Sequence, residues 1–133
     1  MKPLHNKFSV FLILSLFFFW TGCEYEYVKP VKVVTTTPIS FSNEIVPIFT
    51  ANCIGCHKTG GTPPDFSATN AYQSIQTKAL TDTLNPESSL LYQRITKTGT
   101  IGSAKGIMPP SGKMPDSNIS LILTWIKQGA KNN

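Results

Sequence analysis

Histidine and cysteine are scarce in this chain. Its 133 residues include two histidines, His5 and His57, and three cysteines, Cys23, Cys53 and Cys56. A Ser-His-Asp hydrolase or a multi-histidine metal enzyme has little to work with, and a four-cysteine zinc ribbon lacks its ligands. Acidic residues are few as well, 7 against 12 basic ones. The resulting charge of +5 falls by two if Lys2 and Lys7 are removed with a leader. Such a mild charge makes no case for a nucleic acid partner. No apolar run reaches the roughly 20 residues that a membrane-spanning helix needs. The length suits one domain with a modest core.

The first 22 residues differ from the rest. Met1 to Lys7 is a short basic stretch, and Phe8 to Trp20 is apolar except for Ser9 and Ser15. A cleaved signal peptide has this build. Thr21-Gly22-Cys23 follows, and small residues before a cysteine resemble a lipobox, although Trp20 stands where leucine is usual. The expected organisation is a lipoprotein signal over 1–22, a lipidated Cys23 with a flexible tether to residue 40, and one domain over 41–133. Acyl chains on Cys23 anchor the chain to a bacterial membrane at about 0.8 kcal/mol per buried CH₂. The domain then faces the periplasm or the cell exterior. The tether sequence EYEYVKPVKVVTTTPIS has two prolines and a threonine run that favour extended backbone. An edge strand is the alternative.

Four short helices are predicted in the domain, making it all-α. The first runs from Ser42 to His57, capped by Ser42 or Asn43, with Ile45, Ile48 and Phe49 on its apolar face. Pro47 fits if the regular helix begins there. The second runs from Ser67 to about Lys78, the third from about Ser88 to Thr96. The fourth runs from Asp116 or Ser117 to Lys127 and ends at Gly129. Residues 58–66 and 98–113 read as loops rich in glycine and proline. A loop as long as the second is usually functional.

Cys53-Ile54-Gly55-Cys56-His57 is the motif that carries chemistry. Residues three apart share a helical face, so both sulfurs reach the two vinyl groups on one edge of a porphyrin. Gly55 leaves room for the ring, and His57 presents its imidazole to the iron. CxxCH reads as covalent attachment of one c-type haem, and it suits an exported protein. A disulfide oxidoreductase would need a βαβ context that the pattern lacks. Zinc would need a fourth ligand, and a disulfide between such close cysteines would close a very small loop. With His57 on one axial position and no further histidine in 23–133, methionine, lysine, water or nothing is left for the other. Met108 is the better candidate, because Pro109-Pro110 stiffens the backbone directly after it. Met114, two residues before a predicted helix, suits a core or staple position.

CxxCH near the front, MPP near the back and a final helix with Trp125-Ile126 resemble a small class I monohaem cytochrome c. The stretches EIVPIFTANCIGCHK, PESSLLYQRIT and MPPSGKMPDSNISLILTWIKQGA are similar to lipoprotein and membrane-tethered cytochrome c domains, over residues 42–130. Pro115 and Ser117-Asn118 depart from that pattern. The resemblance implies four short helices and long loops wrapped around the haem. It also implies His57 and Met108 as axial iron ligands, and a proline, Pro64 or else Pro63, whose carbonyl accepts the histidine's Nδ1–H. Trp125, Tyr92 and Arg94 are candidates for haem propionates, with core packing for Trp125 and ordinary surface exposure for Arg94 as the plainer readings. Lys58, Lys105 and Lys113 are candidates for steering acidic partners.

A closed iron with a thioether ligand is suited to single-electron transfer. The expected function is that of an electron-carrying lipoprotein, a monomer without enzymatic activity. It would shuttle between redox proteins such as a dehydrogenase and an oxidase, or serve as an electron-transfer subunit of a larger enzyme. The alternative is a gas sensor or small peroxidatic enzyme with a labile methionine ligand.

Overall fold

The computed structural model describes residues 37–98 and 106–133. The expected leader, Cys23, most of the expected tether and Lys105 lie outside the described residues. Among the described residues the secondary structure is entirely helical, as the all-α expectation has it. A π-helical turn, Phe41–Ile45, leads into α1, Val46–Asn52. Helix α2 spans Ala71–Thr77. A 3₁₀ turn, Pro86–Ser88, precedes α3, Leu90–Thr96. The longest helix, α4, spans Asp116–Lys127.

The domain begins before residue 41. Ile39 is buried, and its N–H donates to Gln128 Oε1 at 2.7 Å. Thr37 offers its carbonyl to the other end of the same amide. The expected end of the tether at residue 40 therefore falls inside the folded part. Ser40, rather than Ser42 or Asn43, caps the first helical turn. Its Oγ accepts from Asn43 N–H while its own N–H donates to Glu44 Oε2, a reciprocal arrangement that satisfies two orphan donors. The turn begins in π register, with Ile45 N–H on the Ser40 carbonyl and Val46 N–H on Phe41. The change to α register falls where Pro47 has no N–H to place.

Phe41 sits at the centre of the aromatic core. Its ring packs edge-on against Phe49 and Tyr72 and lies tilted on Trp125, with centroids 6.3, 5.3 and 5.2 Å away. The spacing of Ile119, Ile122, Leu123 and Ile126 predicts the buried face of α4; the three isoleucines are buried, Leu123 is only half-buried, and Trp125 joins the face. Asp116 in its first turn and Lys127 in its last suit the helix dipole. Gly129, at φ +99°, stops the helix in a conformation that favours glycine. The Trp125 indole donates to the Lys131 carbonyl at 2.9 Å. Core packing, on the ring of Phe41, and this bond account for Trp125, as its plainer reading has it. Met114 is buried in the same core.

The other helices are shorter than their sequence patterns suggest. The first ends at Asn52 instead of running on to His57, and the second starts at Ala71 instead of Ser67. In the third, Ser88 belongs to the 3₁₀ turn and buried Ser89 separates it from α3.

Candidate functional site

Cys53 to His57 form a tight turn just past α1. Cys53 N–H still donates to Phe49 of the helix, and the N–H groups of Cys56 and His57 both converge on the Cys53 carbonyl at 3.2 and 2.9 Å. The two cysteines thus share one turn of backbone without a continuous helix. Both are free thiols, Cys56 exposed and Cys53 half-buried. Burial pushes the Cys53 thiol up to about 11, so it is neutral at pH 7. A Cβ at Gly55 would have no protein atom within 4 Å, so this side of the turn is open, as the reading of Gly55 expects.

The imidazole of His57 is oriented from two sides. Its Nδ1 lies 2.9 Å from the Thr62 carbonyl oxygen. A carbonyl only accepts, so Nδ1 carries the proton and, in the neutral ring, Nε2 carries the lone pair. The ring also meets Phe66 edge-on, at 5.6 Å between centroids, and Phe66 stacks on Phe49 of α1 at 4.6 Å. The acceptor is therefore Thr62, and the expectation for Pro64, and for Pro63 as its alternative, is corrected. The Thr62 carbonyl faces the imidazole because Thr62 N–H is fixed on Cys56 and Gly61 N–H on Lys58. The bend is so close that a Cβ at Gly61 would lie 2.5 Å from the Cys56 carbonyl oxygen.

Asp65 holds the far end of this loop. Its carboxylate accepts from Ser67 N–H and Oγ, Thr59 Oγ1 and Asn70 Nδ2, at 2.6 to 2.9 Å. These bonds, those from Ser67 first, hold the carboxyl well below the usual carboxylate range. The turn they build over 67–70 is why α2 starts late. Thr62, Gly61 and Asp65 are site residues that pattern reading missed. For Asp65 a signal was present, since Asp-x-Ser at a loop end is an Asx-turn pattern; for the Thr62 carbonyl there was none.

Met108 is placed by the end of α3. It is half-buried, and its N–H donates to the Arg94 carbonyl of α3 at 2.7 Å. Arg94 Nη1 in turn donates to the Gly106 carbonyl at 3.0 Å. Among the described residues no hydrogen bond or ring contact joins Met108 to the Cys53–His57 turn. Tyr92 packs against the core. Lys58 is exposed, and Lys113 pairs with Asp116. A cleft of about 230 Å³ lies elsewhere, between Pro38, Ile39, Trp125, Gln128, Lys131 and Asn133.

The residues fit a c-type haem in their chemistry. Two free thiols share one turn, one imidazole is held by Nδ1 with Nε2 released, and the backbone at Gly55 is open. Among the described residues no three His, Cys, Asp or Glu side chains converge on a metal-sized site. The disulfide-oxidoreductase alternative finds no strand there for its βαβ unit. No helix among the described residues is long and apolar enough to cross a membrane. No model of a known protein family matches the chain, and neither a curated protein nor a solved structure does.

Proposed function

We propose that this chain is a monohaem c-type electron carrier, exported and anchored to a bacterial membrane through acyl chains on Cys23. The observation that carries the reading is the Cys53–His57 turn, with both thiols free and Nδ1 of His57 engaged by Thr62. Cys53 and Cys56 are the attachment residues. Each S–H would add across one vinyl group, the sulfur forming a C–S bond and the hydrogen going to the neighbouring carbon, with no external oxidant. His57 Nε2 and the Met108 thioether would hold the iron. When bound, the haem supplies a one-electron couple, which methionine–histidine ligation places higher than ligation by two basic nitrogens. The Thr62 carbonyl fixes the imidazole's tautomer and direction. Phe66, itself stacked on Phe49, packs edge-on against the ring and holds its direction. With both residues on the iron, no position would be left for substrate, which favours electron transfer over catalysis. The partners are redox proteins met through small, short-lived interfaces.

The test is expression with a c-type haem maturation system, read by the haem spectrum of denatured protein and by the far-red absorption band of a methionine–iron bond. Covalent haem that disappears on Cys53→Ala and Cys56→Ala supports the attachment. A far-red band that disappears on Met108→Ala supports the closed iron. Attached haem without that band, with rapid carbon monoxide binding by the reduced protein, would overturn the carrier reading in favour of a gas sensor.

A further inference from the structure

The fold singles out one residue that holds the Met108 segment from two directions. Helix α3 ends at Thr96, with Lys97 in the left-handed region at φ 57°. The last four carbonyls of a helix have no partner within it. Here the N–H groups of Lys97 and Thr98 both turn back to the Gln93 carbonyl. The Arg94 carbonyl is thereby left free, and Met108 N–H fills it at 2.7 Å. The guanidinium of the same residue reaches the Gly106 carbonyl at 3.0 Å. Gly106, at φ +77°, adopts a backbone conformation that side chains disfavour. Pro109 and Pro110 then limit the backbone directly after Met108. Met108 is thus held on one side by a two-point clamp from Arg94 and on the other by two prolines.

We propose that Arg94 is a positioning residue for Met108, holding segment 106–108 on the end of α3 so that the thioether is presented at a fixed place. The inference rests on the reading of Met108 as an axial ligand. The carbonyl half of the clamp survives any side-chain change, whereas the guanidinium half does not. A charge-assisted bond to a partly buried carbonyl is worth enough for its loss to shift a local equilibrium about tenfold. Arg94→Gln is therefore expected to raise the fraction of detached methionine about tenfold.

The experiment uses the haem-loaded protein and three readouts: the far-red band followed against pH, the carbon monoxide binding rate of the reduced form, and hydrogen exchange of the Met108 amide. Arg94→Gln is expected to lose the band at lower pH than the parent, to bind carbon monoxide about tenfold faster and to exchange the Met108 amide faster. Arg94→Lys keeps a charged donor on a long stem, where the Gln amide is shorter and neutral, and is expected to recover part of each effect. If Arg94→Gln does not accumulate, Arg94→Lys carries the test, with smaller shifts in the same directions. Lys97→Gln removes a charge from the same helix end without touching the clamp and is expected to match the parent. A parent with the band, and Arg94 variants indistinguishable from it in all three readouts, would overturn the proposal alone. Equal effects from Lys97→Gln would also overturn it, in favour of a general charge effect. A parent with attached haem and no band would overturn the ligand reading and the proposal together.

Discussion

The imidazole of His57 donates from Nδ1 to the carbonyl oxygen of Thr62, 2.9 Å away, across a bend that leaves no room for a side chain at Gly61. The two residues depend on each other. Thr62 can face the imidazole only because Gly61 lets the chain pass close to the Cys56 carbonyl. Gly61→Ala is expected to destabilise the domain by roughly 1–3 kcal/mol through overpacking, and to lower the yield of haem-loaded protein. Gly55→Ala, with open space around the new Cβ, is expected to cost far less stability. Chemical unfolding of both variants measures the difference. Equal losses would remove the special role of the bend.

Asp65 makes the stability of the same loop depend on pH. Its carboxyl is held below the usual range by Ser67, Thr59 and Asn70, and Asp82 is lowered in the same direction, chiefly by the Asn85 backbone N–H. For a carboxyl lowered on folding, the stabilisation is complete above the unfolded value of about 4 and fades as pH falls through and below it. Asp65→Asn is therefore expected to flatten the loss of stability below about pH 4, and Asp65→Asn with Asp82→Asn to flatten it further. Thermal melts from pH 2 to 7 give the comparison. An acid limb unchanged by both substitutions would contradict it.

Trp125 separates packing from cofactor contact. Its indole is spent on the Lys131 carbonyl, and its ring lies on Phe41. Trp125→Phe keeps most of the packing and leaves the Lys131 carbonyl without its donor, a loss of about 1–3 kcal/mol. Trp125→Ala is expected to cost about 3–5 kcal/mol. Both are measured by denaturant unfolding of the haem-loaded protein. The position of the haem bands is expected to stay put in Trp125→Phe; a clear shift would place the indole near the haem.

Long apolar periodicity was the legible part of this fold. Ile119, Ile122, Leu123 and Ile126 locate α4 from the sequence, although Leu123 is only half-buried, and Gly129 locates its end. The shorter helices were legible as apolar faces but not as boundaries, because side-chain hydrogen bonds set those. Ser40 and Glu44 start the first helical turn one residue earlier than the pattern suggests, and Asp65 converts the start of the second into a turn. The residue types and spacing of the Cys53–His57 motif were legible, but its backbone was not, since the pattern carries the helix to His57 and the chain turns after Asn52. Its supporting acceptor was hidden as well, because a backbone carbonyl such as that of Thr62 has no signature in the sequence. The two roles of Arg94 were hidden for the same reason: one is its carbonyl, and the other ends on the carbonyl of Gly106.

The two methionines of the 106–133 segment are expected to separate stability from spectrum. Met114 is 4% exposed and lies in the apolar core with residues of α4. Met114→Ala removes buried methylenes and a sulfur, and it is expected to cost about 2–5 kcal/mol. The far-red band should nevertheless persist wherever the protein is folded. Met108 is only half-buried, and its backbone, not its side chain, makes the bond to α3. Met108→Ala keeps that bond, so in the haem-free chain it is expected to cost less than Met114→Ala. In the haem-loaded protein it should abolish the band and open the iron to carbon monoxide. Both variants are compared by denaturant unfolding and by the visible spectrum of the same samples. Loss of the band in Met114→Ala, with its survival in Met108→Ala, would reverse the assignment. Buried Met114 would then have to leave the core to reach the iron, and haem attachment would rearrange the start of α4.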